Sequence, residues 1–147
     1  MITIRVQSDD FDVGVECESL TRHQGETGAL VTFTGLVRGD GKLRALRLEH
    51  YPGMTEREIA LITSEAESRW PLQGITIIHR VGELAPGARI VLVAVAAAHR
   101  AAAFAAAQFL MDYLKTRAPF WKEEFRGADS RWVAPNSGDD EAALKWR

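Results

Sequence analysis

The stretch Ile90–Arg117, IVLVAVAAAHRAAAFAAAQFLMDYLKTR, sets the fold class. Its first part, Ile90 to Ala96, is apolar at successive positions and rich in β-branched residues, as a strand covered on both faces must be. From Arg100 to Arg117 alanine dominates, the residue of highest helix propensity, and Phe104, Ala107, Met111 and Leu114 recur at helical spacing. As a single apolar run, Ile90 to Met111 is long enough to cross a bilayer. His99 and Arg100 fall near its middle, however, and an arginine there costs about 2.5–3.5 kcal/mol on insertion scales. The change from β-branched to alanine-rich composition at that point predicts a buried strand followed by a helix, with no membrane span.

Outward from this unit, shorter elements follow from local patterning. Ile2–Gln7 reads as a first strand, and Asp12–His23 as a helix with Val13, Cys17 and Leu20 on one face. Gly28–Val37 reads as a strand with Val31, Phe33 and Val37 on one side. Arg38-Gly39-Asp40-Gly41 then predicts a tight turn into a partner strand, Leu43–His50, whose Leu46 and Leu48 alternate with Arg47 and Glu49. After Pro52-Gly53, Thr55 with Glu58 has the spacing of a capping box and Met54 with Ile59 that of a hydrophobic staple. Ile59, Ile62 and Ala66 form the buried stripe of that helix, which Trp70-Pro71 ends. Ile75–Val81 is a further strand, separated from Ile90–Ala96 by Pro86-Gly87. Ala118-Pro119 stops the long helix, and Phe120–Phe125 resumes extended chain.

After Gly127 the composition turns polar, through Pro135, Asn136, Ser137 and Gly138, and residues 127–147 read as a loosely held tail with Trp132 and Trp146 as possible anchors. Strands and helices mix without regular βαβ alternation. The expectation is therefore α+β: one domain over residues 1–147, with a mixed or antiparallel sheet and two to three helices.

Composition narrows the function classes. The chain has 147 residues, 46% hydrophobic and 26% charged, with a net charge of −2. That balance argues against general disorder and against a broad nucleic-acid surface. The N-terminus lacks the apolar stretch of a secretory signal. The one cysteine, Cys17, has no partner for an intrachain disulfide, and no cysteine–histidine cluster has zinc spacing. A reducing, cytoplasmic setting without a metal or cofactor is expected. No G-x-S-x-G, Walker-type loop, G-x-G-x-x-G or H-E-x-x-H motif occurs, so hydrolase-triad, dinucleotide and zinc-protease chemistries have no support.

The densest chemical signal is YLKTRAPFWK, Tyr113–Lys122, which carries Lys115, Arg117 and Lys122 without an acid. Pro119 breaks the helix between the two lysines, placing Lys115 in its last turn and Lys122 on the strand beyond. A short reversal there brings both amines towards one pocket, where they hold an anion and depress each other's pKa. Lysines at helix C-termini also complement the macrodipole on ordinary surfaces, so spacing alone leaves both readings open. His99-Arg100 stands at a strand-to-helix junction, a place where anions bind but also where solvated residues are common. Arg38, at a strand end, suits a phosphate or carboxylate clamp and equally an exposed turn. By spacing, Phe33 and Met111 read as core.

Five motifs together carry a resemblance: VTFTGLVR (Val31–Arg38), LEHYPGM (Leu48–Met54), IIHRVGEL (Ile77–Leu84), AHR (Ala98–Arg100) and MDYLKTRAPFWK (Met111–Lys122). In this order the sequence closely resembles the large subunit of molybdopterin synthase, the MoaE family, most clearly from Val31 to Trp132. The resemblance implies an α/β-hammerhead fold and a homodimer that binds a small ubiquitin-like carrier, giving a heterotetramer. It implies a sulfurtransferase: sulfur carried as a thiocarboxylate on the carrier's Gly-Gly C-terminus converts cyclic pyranopterin monophosphate to molybdopterin. It further implies Lys115 and Lys122 as catalytic residues and Leu36, Val37, Arg38, His99, Arg100, Glu123 and Glu124 as substrate contacts alongside them. Phe33 and Met111 match pocket-wall positions. Leu36 stands where many relatives have a lysine. The alternative is a non-catalytic anion-binding or carrier-docking scaffold of the same fold.

Overall fold

The computed structural model describes residues 1–22, 25–134 and 137–147. In chain order its elements are β1 (Ile2–Gln7), α1 (Val13–Thr21), β2 (Ala29–Leu36), β3 (Leu43–His50), α2 (Met54–Arg69) and β4 (Leu72–Arg80). There follow β5 (Gly82–Leu84), β6 (Arg89–Ala97), α3 (Arg100–Thr116), β7 (Phe120–Arg126), β8 (Asp129–Trp132) and α4 (Ser137–Leu144). The architecture is α+β, as expected, with two four-stranded sheets. The first, ordered β1-β4-β6-β2, pairs β1 with β4 in parallel and is otherwise antiparallel. The second, β5-β3-β7-β8, is antiparallel throughout.

β6 occupies the interior position that its unbroken apolar run requires. Val91, Val93 and Val95 point with Ile75 and Ile77 of β4 into the main core, against Ile59, Ile62 and Ala66 of α2 and Ala106, Phe109 and Leu110 of α3. Leu92, Ala94 and Ala96 point the other way, beneath Phe11, just before α1, and Leu20 of α1. Each fully buried leucine or isoleucine contributes about 1.5–3 kcal/mol. This two-sided cover therefore holds the first sheet between α1 and the α2–α3 pair. Asp12 caps α1 by accepting a hydrogen bond from the Val15 amide at 3.0 Å. His23, the expected last residue of that helix, lies outside the described residues, as do Pro135 and Asn136.

Four local expectations change. β2 and β3 do not form a hairpin: β2 pairs with β6 and β3 with β5 and β7. A register shift at Gly35/Leu36 ends the β2–β6 ladder, and Val37 bonds instead to Ala88 and Gly87. Val37 consequently leaves the face of Val31 and Phe33 and enters a second small core with Leu46, Leu48 and Leu84. Residues 38–42 are a crossover between sheets, held by the Asp40 carboxylate, which accepts from the Lys42 and Leu43 amides.

At α2 the N-cap is Gly53, whose φ of 85° favours glycine, and Glu56 reaches back to the Gly53 amide at 3.2 Å. Starting at Met54 turns Thr55 inward, while Glu58 pairs with Arg117. Phe104 is off the buried stripe of α3 and 63% exposed, because small alanines at 103, 106 and 107 let the helix seat on a different side. Finally, the polar C-terminal segment contains β8 and a fourth helix, α4. Trp146 packs edge-on against Trp70 and Phe109 and donates from Nε1 to Asp112 at 2.6 Å. Trp132 is exposed.

Candidate functional site

A cavity of about 370 Å³ opens where the first sheet meets β7 of the second. Antiparallel pairing brings the end of β2 (Thr34, Gly35, Leu36) beside the beginning of β6 (Ile90, Val91), with His79 from the end of β4. The last turns of α3 supply Met111, Leu114 and Lys115, and β7 supplies Lys122. Gly35 lies so close to Val91 that a Cβ would sit 2.7 Å from Val91 Cγ1, so a side chain here meets the packed strand.

Lys115 and Lys122 thus line one cavity, across the break at Pro119. The turn between them is tied down, since the buried Thr55 hydroxyl donates to the Pro119 carbonyl at 3.1 Å and accepts from the Tyr51 amide at 3.1 Å. Arg117, the third cation of this stretch, is used elsewhere: it pairs with Glu58 at 3.0 Å and Glu65 at 2.8 Å on α2. Lys122 is held below the usual lysine range, by burial first and by the neighbouring Lys115 charge second. Among the described residues no carboxylate lines this cavity, although the charges of Asp139 and Glu124 reach Lys122 and oppose the lowering. Apart from the two lysines, Thr34 and His79, its wall is apolar, a setting suited to an anionic ligand.

The remaining expected residues divide. Phe33, Leu36 and Met111 line the cavity. Phe33 is 43% exposed, so it is wall and not core. Arg38 is exposed one residue beyond the buried Val37, whose side chain faces the second core. Glu123 and Glu124 do not line the cavity. Glu123 bonds to Arg47 across the sheet at 2.5 Å, and Glu124 pairs with Arg126 at 2.8 Å.

His99 and Arg100 are exposed at the opposite end of α3, with His99 as its N-cap. At 1.5 Å per residue, His99 is about 24 Å from Lys115 along the helix. Within this chain they do not line the cavity. Among the described residues no group of three His, Cys, Asp or Glu side chains converges to hold a metal ion.

Sequence reasoning passed over His79, which belongs to IIHRVGEL but was not singled out. Its signal was a titratable ring closing the buried run Ile75–Ile78. Its Nδ1 lies 2.9 Å from the Arg80 carbonyl and its ring stacks on Phe120 with centroids 3.7 Å apart. Burial, and then the charges of Lys115, Lys122 and His50, push its pKa down to about 4 against the opposing effect of that hydrogen bond.

Comparison with known proteins gives the family. Residues 6–117 match the MoaE protein family. The chain is 55% identical to a molybdopterin synthase catalytic subunit of Mesorhizobium japonicum, over 99% of this chain and 93% of that one. It is 54% identical to the catalytic subunit of Escherichia coli, over 97% of each chain. The solved molybdopterin biosynthesis MoaE protein of Burkholderia ambifaria superposes with a TM-score of 0.87 at 49% identity, covering 99% of this chain and 98% of that one. The chain belongs to the MoaE family, the catalytic subunits of molybdopterin synthase in molybdenum cofactor biosynthesis.

Proposed function

We propose that the chain inserts two sulfurs into cyclic pyranopterin monophosphate, taking them from the C-terminal thiocarboxylate of a small ubiquitin-like carrier. The observation that carries this reading is the pairing of Lys115 and Lys122 in one cavity whose wall, among the described residues, has no acid. The substrate bears a cyclic phosphate and the carrier tail brings a second anion, so a site for both needs several cations. Opening the phosphate ring and adding sulfur both develop negative charge, which Lys115 and Lys122 stabilise, with the exposed Arg38 two residues beyond Leu36 of the wall as a further cation. A lysine with a lowered pKa also moves protons as the carrier's acyl group is hydrolysed. Sulfur arrives as the nucleophile on the carrier, so the protein needs no reactive thiol of its own. The relatives' designation as catalytic subunits supports a companion subunit for this chain as well.

The position of His99 and Arg100 supports a homodimer as the working unit. Beside the cavity a shallow groove carries the exposed Phe33 and Phe104, an apolar surface suited to a second copy. In an isologous pairing with the α3 helices antiparallel, the second copy's His99 and Arg100 reach the Lys115 end of this chain. The substrate pocket is then built from two chains, and two carriers complete a heterotetramer.

The test is reconstitution with a thiocarboxylated carrier and cyclic pyranopterin monophosphate, assayed for dithiolene. Lys115→Ala, checked for folding, is expected to lower turnover by at least about 100-fold, as loss of a preorganised charge does. Dithiolene from Lys115→Ala at the wild-type rate, or none from wild type despite carrier binding, refutes the reading; the latter favours a docking scaffold.

A further inference from the structure

Arg117 lies between Lys115 and Lys122 in the chain, yet its side chain meets α2 and does not line the cavity. Its guanidinium forks across two carboxylates. Nε and Nη2 donate to Glu58 Oε1 at 3.1 and 3.0 Å, and Nη1 donates to Glu65 Oε1 at 2.8 Å. The same group rests over the Tyr113 ring, 5.1 Å from its centroid. Two residues on, the Pro119 carbonyl accepts from the buried Thr55 hydroxyl at 3.1 Å. Thr55, Glu58 and Glu65 recur at i, i+3 and i+10, so one side of α2 makes both contacts. A helix that supplies nothing to the cavity wall thus holds the reversal between the two lysines at two points. The reversal needs that outside hold. Pro119 has no amide hydrogen, so the helical pattern, in which the Arg117 amide still donates to the Tyr113 carbonyl at 2.7 Å, cannot continue through it. The like charges of Lys115 and Lys122 meanwhile push α3 and β7 apart.

We propose, resting on the synthase reading above, that Arg117 is a positioning residue: together with Thr55 it clamps the reversal onto α2 and so sets the spacing of Lys115 and Lys122. Arginine suits this task because its planar fork spans both carboxylates, which the single ammonium of a lysine does not. Glu58 and Glu65 also offset the guanidinium charge. The third cation of YLKTRAPFWK therefore contributes hold to the cavity, while the two lysines contribute charge.

Two variants loosen the clamp without changing the net charge, so any effect on the cavity lysines comes from their placement. Arg117→Lys keeps the cation and loses the fork; Thr55→Val keeps the shape and loses the hydroxyl. Thr55→Ser keeps the hydroxyl and serves as the rescue. The first readout is NMR titration of the lysine side chains in the full chain without carrier or substrate. Lys122 titrates low because it is buried and lies beside Lys115, with Asp139 and Glu124 opposing. Released from that position, it is expected to titrate at higher pH in Arg117→Lys and Thr55→Val, and as in wild type in Thr55→Ser. In the reconstituted synthase the first two are expected to lower kcat by about tenfold, within the ~100-fold that a misplacement of about 1 Å can cost, and Thr55→Ser to recover it. A clamp that serves stability alone predicts a lowered urea midpoint with lysine titration and kcat unmoved. A folded Arg117→Lys protein with that behaviour overturns the proposal, whether or not Thr55→Val folds. Because the titration needs no turnover, an inactive wild type refutes the synthase reading while the clamp is decided separately.

Discussion

Cys17 shows how a residue's surroundings determine whether its chemistry is used. It sits part-buried on α1, on the far side of the first sheet from the main core, and both burial and the Glu16 carboxylate raise its thiol pKa. The thiolate is the reactive form, so this environment suppresses nucleophilicity. Cys17→Ala is expected to leave dithiolene formation within about twofold of wild type, since surface-type substitutions away from the site change little. Loss of turnover in a folded Cys17→Ala protein would mean that the protein itself carries sulfur. Lys122 is the converse case, where burial and a like charge leave the amine closer to proton transfer than a surface lysine. Spacing across Pro119 predicts this neighbourhood because a broken helix reverses the chain. His79 escapes such reasoning, since Phe120 and the two lysines come from β7 of the other sheet and from α3 and reach it only through tertiary packing.

Among the elements, the turn from β3 into α2 matters more than its capping pattern suggested. Thr55 has the sequence position of a cap yet is fully buried, and it links the Tyr51 turn to the Pro119 turn that separates the two cavity lysines. Thr55→Val keeps the shape and leaves the Pro119 carbonyl and the Tyr51 amide without that partner. A cost of about 1–3 kcal/mol is expected, read as a lowered urea midpoint at unchanged m-value. A midpoint equal to wild type would show that the two turns are held independently. The pattern of Thr55, Glu56 and Glu58 admits more than one cap because the N-terminus of a helix depends on the φ of the residue before it, here Gly53.

At the scale of the whole molecule, α3 is long enough to separate two halves of one expected site. Lys115 lies at its C-terminal end and His99-Arg100 at its start. If the pocket is shared between two copies, mixing inactive Lys115→Ala and Arg100→Ala proteins under conditions that exchange subunits restores activity. Random pairing gives half mixed dimers, each with one site intact in both residues, so about one site in four recovers. No recovery, with exchange shown by mass, would place Arg100 in the service of its own chain or of none. The C-terminal segment joins the same body through Trp146, whose indole lies against Trp70 and Phe109 and satisfies the buried Asp112.

The sequence alone specified what short-range periodicity can specify. A two-residue repeat or an unbroken β-branched run defines a strand, a 3.6-residue repeat defines a helix, and Pro71, Pro86 and Pro119 punctuate them, so β1, β6 and α3 could be placed to within a residue or two. The two lysines were within reach for the same reason, being close along the chain. Tertiary structure alone settled the partner of β2, the exclusion of Glu123 and Glu124 from the cavity, and the placing of His79 beside Lys115 and Lys122. Those facts depend on which distant strands desolvate one another and in which register, a free energy summed over contacts far apart in sequence, and no local pattern records it.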